Sequence, residues 1–422
     1  MWKNPGSAIA IDPSQLTVGL YVWLHMRWDE HPFIANRFMV RTAKDVAVIQ
    51  ALGIEGHLYY HPDRSTAQPL PLAPVAAAQP VPVHADEQVA LAAEVRQLDR
   101  AKKERRQRQR DAAARADRAW EDAARQTREA LLTLTHSPKA AGRILADLSA
   151  ETAARIVQSK EVLLHLLGDK KDQGPQFHAL NVLTLCMLVG KKARLSERGL
   201  ADLAMAALAH DVGKSKVPAH LFKTTRRKRH EEEFVRQHVM YSTQLASDSG
   251  AFSKEALACI AGHHEAADGS GWPRGIRETQ RLALILALVN RYDNLCSPEA
   301  RDAEPLMPAE ALAHMFKNES GQHDPALLSA LVKLLGVYPP GTVVQLTNGS
   351  LALVVAPGPE ALRPQVLMYT PEIPKDEAPL VELDTEPDIR VAEAIRPSTL
   401  SPDVLDWLNP QQRLSYFYSV ED

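Results

Sequence analysis

The feature that most limits this fold is an unbroken succession of helical patterns through the middle of the chain. Between residues 136 and 338 the segments PKAAGRILADLSAETAARIVQSKEVLLHLL, FHALNVLTLCMLVGKKA, ERGLADLAMAALAHDVG, HEEEFVRQHVMYSTQLA, SKEALACIAGHHE, TQRLALILALVNRYDNL, PAEALAHMF and PALLSALVKLLG follow one another. Each carries apolar residues at i, i+3 or i+4, the period of an amphipathic helix, and β-branched runs are few. The region is therefore expected to be an all-α domain of about eight helices.

The flanks read differently. Residues 1–65 form a small α+β unit: AIAID, GLYVWLHM and GHLYYH have strand character, and Val46, Ile49 and Leu52 fall at helical spacing before Gly53. Residues 66–86 are rich in Pro and Ala, as in a semi-stiff extended linker. Residues 87–135 lack Gly and Pro and have a thin apolar stripe of Val95, Leu98 and Trp120. That pattern predicts a charged, solvated helical stalk, which could also pair two copies of the chain. Beyond Gly336, PPGTVVQLTNG, SLALVVAP and RPQVLMYT read as two to three strands around an Asn-Gly hairpin signal, opening a β-rich C-terminal extension over 339–422. The expected architecture is thus multidomain and mainly α, with small mixed and β parts at its ends.

Charge narrows the function classes. Lys plus Arg is 49 and Asp plus Glu is 52, so a net charge of −3 predicts no bulk attraction to a nucleic-acid polymer. The three cysteines, Cys186, Cys259 and Cys296, are far apart and without CxxC spacing, which fits neither a disulfide framework nor a thiolate zinc site. The start MWKNPGSAIAID has no apolar core of signal-peptide length. The longest aliphatic run, Leu282 to Val289, is far short of the ~20 residues that span a bilayer. A cytoplasmic protein with no membrane span is expected.

The chemistry lies in the histidines, of which there are 16. The helical region presents in order His178, the pair His210-Asp211, His238, the pair His263-His264, and Asn290 three residues before Asp293. His210-Asp211 ends LADLAMAALA, among the most apolar stretches of the chain. Burying an ionisable pair there is costly unless something compensates, and a divalent cation is the strongest local compensator. Gly213 lets the backbone turn and sets Lys214 beside the same point. His165, His220, His230, His314 and His323 stand alone and read as ordinary core or surface residues.

The set HDVGK (210–214), HVMYS (238–242), HHEAADGSGWP (263–273) and NRYDNL (290–295) resembles the HD-GYP family of HD-superfamily metal-dependent phosphohydrolases. The resemblance covers about half the chain, and the first ~65 residues look like a small domain of unknown function often found ahead of such domains. It implies a cyclic di-GMP phosphodiesterase built on two divalent transition-metal ions, iron or manganese by ligand type. Asp211 would bridge them, with His178, His210 and Asn290 completing one ligand set and His238, His263 and His264 the other. Lys214 would hold a phosphate oxygen, and the reaction would open cyclic di-GMP to pGpG or onward to GMP. The loop Gly269, Gly271, Trp272 and Pro273 would stand where the family's GYP tripeptide meets partners such as diguanylate cyclase (GGDEF) domains, with Trp in place of Tyr.

Three positions depart from the family pattern. Asn290 replaces a metal-binding Asp and carries no charge. A basic substrate-gripping stretch after Asp293 is missing, with Glu299 near the expected Arg and Arg301 one residue displaced. Ser242 replaces a Gly, and position 174, a third-metal Glu in some members, is Gly. These departures define the alternative: a catalytically impaired domain that senses cyclic di-GMP or docks signalling partners.

Overall fold

The computed structural model describes all residues except 1–7, 27–30, 32, 34–35, 55, 73–84, 159–160, 167–174, 361, 372–374, 376–377, 379, 387–388, 409–415 and 422, with backbone alone in 85–92, 94–95, 98–99, 102–103, 105–106, 109–110, 112–113, 116–117, 161–166 and 416–421. Most of the expected linker and position 174 lie outside the described residues, as does the side chain of His165. The chain divides into two compact units: residues 1–111 with 345–352 and 367–392, and residues 112–344 with 353–366 and 393–422.

In the first unit, strands β1 (Ile9–Ala10), β2 (Tyr21–Leu24), β3 (Arg37–Met39) and β4 (Leu58–Tyr60) form a sheet in the order β1-β4-β2-β3. Helix α1 (Ala43–Ala51) starts at Thr42, whose hydroxyl accepts the Asp45 N–H while the Asp45 carboxylate accepts the Thr42 N–H. Alternation along β2 turns Val22 and Leu24 into a core with Leu20, Ile49 and Leu58. The sequence reading found β1, β2, β4 and α1 and missed β3. Helix α2 (Ala85–Leu134) follows as the expected long charged helix.

The second unit is the helical body. It comprises α3 (Pro138–Gln158), α4 (Pro175–Lys192), α5 (Glu197–Ala209), α6 (Arg229–Arg236), α7 (His238–Ser249), α8 (Lys254–Ala261), α9 (Arg281–Cys296), α10 (Pro308–Asn318) and α11 (Pro325–Leu335). Helices α4 and α5 pack on each other at the centre, with α3, α8 and α9 around α5. Every residue of α4 from Ala179 to Gly190 is buried. Ser196 caps α5 by accepting the Gly199 N–H, and Ser253 caps α8 by accepting the Ala256 N–H. Ser253 also donates to Asp202 of α5 at 2.7 Å, so the start of α8 is fixed against the middle of α5. The end of α2 is not a free stalk: Trp120, Ala123, Ala130 and Leu134 are buried in this core, with the Trp120 ring 4.9 Å from that of Phe177.

Two expectations need correction. The stretch to Leu166 reads as helix throughout, yet Glu161–Leu166 is a strand, β5, antiparallel to β11 (Tyr416–Glu421). The apolar Val-Leu-Leu run suits either state, and a partner some 250 residues away in sequence decides it. The C-terminal extension holds more strands than its two to three readable runs. Strands β6 (Val343–Leu346), β7 (Leu351–Ala356), β8 (Gln365–Met368), β9 (Leu380–Glu382) and β10 (Val391–Ala394) form one sheet in the order β10-β6-β7-β8-β9, and helix α12 (Pro402–Leu408) follows. The three cysteines are buried free thiols, and among the described residues no helix is long and apolar enough to cross a membrane.

Gly142 within α3 tests the packing. A Cβ there would lie 2.8 Å from the Ala251 Cβ and 2.9 Å from the Ser249 Cβ. Helix propensity alone favours Ala over Gly by ~0.5–1 kcal/mol, whereas overpacking costs ~1–3 kcal/mol. Crowding wins, so Gly142→Ala should lower the urea midpoint of the full chain; a raised midpoint would refute the close approach.

Candidate metal centre

Five segments deliver the site. His178 lies in the first turn of α4, His210 and Asp211 follow α5, His238 opens α7, His263 and His264 follow α8, and Asn290 and Asp293 lie in α9. Most therefore sit at helix ends, where backbone groups lack intrahelical partners.

Helix-end carbonyls fix the imidazoles. His210 Nδ1 donates to Ala207 O at 2.8 Å, His238 Nδ1 to Val235 O at 2.7 Å, and His263 Nδ1 to Ile260 O at 2.7 Å. A carbonyl has no proton to give, so each Nδ1 carries one and each Nε2 presents a lone pair. His178 is held likewise by the Asp293 carboxylate, 2.6 Å from its Nδ1, and Asn181 Nδ2 donates to the other Asp293 oxygen at 3.1 Å.

The Nε2 atoms converge. His178 and His210 face each other at 3.1 Å, His238 and His263 at 3.4 Å, and His264 meets His238 at 3.3 Å. Asp211 lies between the two sets. Its Oδ2 is 3.4 Å from both His178 and His210, and its Oδ1 is 3.3 Å from His238 and 3.7 Å from His263. The ligand atoms of His178, His210 and Asp211 lie within 4.8 Å of one another, as do those of Asp211, His238, His263 and His264. The opposed Nε2 atoms of His238 and His263 repel unless a cation or proton lies between them, and Asp211 Oδ1 is buried with no hydrogen-bond partner. The donor set and its orphaned oxygen fit divalent metal.

Electrostatics point the same way. Burial opposes the charge on Asp211, but Lys214, the imidazoles of His210 and His178 and their hydrogen bonds hold its carboxyl well below the usual range. Burial and then neighbouring imidazoles keep His263 and His264 neutral, the form that binds a cation. Burial works against His178 too, yet hydrogen bonds and charge from Asp211 and Asp293 raise it to about 9, the mark of a site short of positive charge. Lys214 spans Asp211 at 2.7 Å and Glu299 at 3.1 Å. Those two carboxylates overcome burial and strengthen its hold on the proton. Asn290 is buried in α9 with its amide oxygen accepting from Asn294 Nδ2 at 2.7 Å. Arg301 gives its backbone N–H to Lys223 O at 3.0 Å.

Comparison with known proteins agrees with the geometry. Residues 145–327 match the HD domain family, and residues 8–141 match a domain of unknown function (DUF3391). Residues 145–327 thus form an HD domain. The resemblance read from the motifs is borne out in both parts. The HD-domain chain is 29% identical over 229 residues to a cyclic di-GMP phosphodiesterase of Pseudomonas aeruginosa, covering 53% of this chain and 55% of that one. It is 32% identical over 176 residues to the 3'3'-cGAMP-specific phosphodiesterase 3 of Vibrio cholerae, 40% of this chain and 37% of that protein. A cyclic di-GMP phosphodiesterase of Thermotoga maritima is 29% identical over 177 residues, 41% and 48% of the two chains. The chain thus spans about half, or less, of the length of these curated relatives.

The loop after the HD domain's paired histidines depends on a residue that sequence reasoning missed. Glu265 is 3% exposed, and its carboxylate accepts the N–H groups of Arg274 at 2.8 Å, Gly275 at 3.0 Å and Ile276 at 3.3 Å. The signal available was a glutamate directly after HH at a helix end, before a Gly-rich loop. Gly271 admits no side chain, since a Cβ would meet Ala266 N at 2.3 Å and His264 O at 2.5 Å. Gly269 turns with φ +80°. Trp272 gives its N–H to His264 O at 3.0 Å and stacks on the His264 ring, 4.0 Å between centres and 16° between planes. Pro273 is exposed. Gly213 brings the HD turn against α7, and Ser242 there accepts the Gly213 N–H at 2.8 Å. The hydroxyl that departs from the family pattern has thus found a bond.

Removing the Glu265 acceptor leaves three N–H groups short of a partner, at ~1–3 kcal/mol for each one left buried. Glu265→Ala should speed amide hydrogen exchange at Arg274, Gly275 and Ile276 at least tenfold, with Glu265→Gln in between. Unchanged exchange would show that the loop is held by other contacts.

Proposed function

We propose that this chain hydrolyses cyclic di-GMP at a centre of two divalent transition-metal ions, iron or manganese. The observation that carries the reading is the division of Asp211: one carboxylate oxygen faces His178 and His210, the other His238 and His263. His178, His210 and Asn290 would hold one ion and His238, His263 and His264 the other, with Asp211 shared. Bound cations of this kind supply Lewis acidity, making water acidic near neutral pH and offsetting phosphodiester charge. The names of the Pseudomonas and Thermotoga relatives support cyclic di-GMP, and that of the Vibrio relative supports the wider class of 3'-5' cyclic dinucleotides.

The chain's own residues supply orientation. Asp293 and the helix-end carbonyls hold the imidazoles as neutral ligands turned inward. Lys214 holds a non-bridging phosphate oxygen, which takes the place of Glu299, the more exposed of its two partners at 44% against 16% for Asp211. Addition of one water across a P–O3' bond opens the ring to pGpG, and a second addition gives two GMP. The loop of Gly269, Gly271, Trp272 and Pro273 is the proposed docking point for GGDEF domains, supported by the exposure of Pro273. Pairing of two copies through α2 rests on its length and charge. The buried free thiols support a reducing, cytoplasmic setting.

Purified protein should hold about two transition-metal ions per chain, the number of ligand sets that share Asp211. Metal analysis paired with a cyclic di-GMP turnover assay tests this directly, and Asp211→Ala should remove both metal and turnover. Metal without turnover, after anaerobic reconstitution with iron or manganese, would replace hydrolysis with sensing; turnover of 3'3'-cGAMP alone would reassign the substrate. Asn290→Asp restores a charged ligand and should raise metal occupancy and activity together. A fall in metal content would remove position 290 from the ligand set.

A further inference from the structure

Arg236 ends α6 two residues before His238. Its guanidinium lies 5.3 Å from the centre of the Trp272 ring. That ring stacks on His264 and meets His238 edge-on at 5.6 Å. A cation therefore stands one aromatic ring away from two imidazoles of the centre.

Lys214 and Arg236, two basic side chains beside the centre, differ in what holds them. Lys214 is held between Asp211 and Glu299. Arg236 reaches Glu232 only at 3.5 Å, and Glu232 is already engaged by Arg227 at 2.7 Å. Arg236 remains 48% exposed. Its guanidinium thus has donor capacity that its ion pair does not consume.

We propose that Arg236, seated over Trp272, binds the second phosphodiester of a cyclic dinucleotide whose first lies at the imidazole–carboxylate centre. This rests on the hydrolase reading above. A cyclic dinucleotide carries two phosphodiester charges on one ring, and only one is cleaved at a time. The other needs a cation of its own, and the planar guanidinium fork offers two parallel N–H donors to its two free oxygens. Stacking on the indole narrows the conformations Arg236 must give up on binding. Lys214 is already shared by Asp211 and Glu299, so the second phosphodiester calls for a different cation.

The test uses the full-length, metal-loaded protein and calorimetric titration with cyclic di-GMP, as its hydrolysis-resistant phosphorothioate analogue, and with 5'-GMP, which has one phosphate. Arg236→Ala should raise the Kd for cyclic di-GMP at least tenfold and that for GMP less than twofold, at unchanged metal content. Arg236→Lys, keeping charge without the fork, should fall between. In turnover, KM for cyclic di-GMP should rise more than kcat falls. Equal weakening toward both ligands, or tight cyclic di-GMP binding by both wild type and Arg236→Ala, would overturn the assignment of Arg236. Failure of metal-loaded wild type to bind cyclic di-GMP at all would instead overturn the substrate reading, and the Arg236 role with it.

Discussion

Everything at the centre depends on imidazoles being locked at one nitrogen so that the other must face inward. Three of the histidines achieve this with the same local device, an Nδ1–H donated three residues back to a carbonyl at a helix end. The device serves both partners. A helix-end carbonyl gains a side-chain donor, and the ring loses both its rotational freedom and its choice of tautomer. No long-range contact is needed for that step. Long-range packing is needed to bring the helix ends to one place, and the buried α4 and α5 do so, with α8 and α9 against α5.

Two carboxylates divide the remaining labour. Asp211 keeps one oxygen without a hydrogen-bond donor, which a structural carboxylate at the same depth would not do, because the cost of an unsatisfied buried acceptor is high. Glu265 spends its capacity on three backbone N–H groups and so anchors the loop that lays Trp272 over His264. The first leaves room for a cation, while the second has its oxygens filled by the protein. Asp293 stands between these cases, orienting His178 from behind while Asn181 holds its other oxygen.

Much of this was legible in the chain. The clustered histidines and Asp211 announce themselves by pairing, as HD and HH, and by sitting at the ends of strongly apolar helical segments. What the pattern hid were roles that depend on a partner's direction. Asp293 and Asn290 are three residues apart on one helix face, and nothing in the spacing says which group turns toward His178. Glu299 reads as a missing base, whereas in space it is the second carboxylate on Lys214. The strand β5 was hidden for a related reason, since a short apolar run has no preference that survives without knowing its neighbour.

By itself, the sequence determined the helical body, the small α+β character of the unit ahead of it and the identity of the clustered histidines, because periodicity and capping are local and act wherever the residues occur. Tertiary structure alone decided the pairing of Glu161–Leu166 with the C-terminal strand, the burial of the end of α2, the anchoring of the loop by Glu265 and the division of Asp211 between two groups of imidazoles. Those outcomes turn on distances between atoms remote in sequence, and no local propensity encodes a distance.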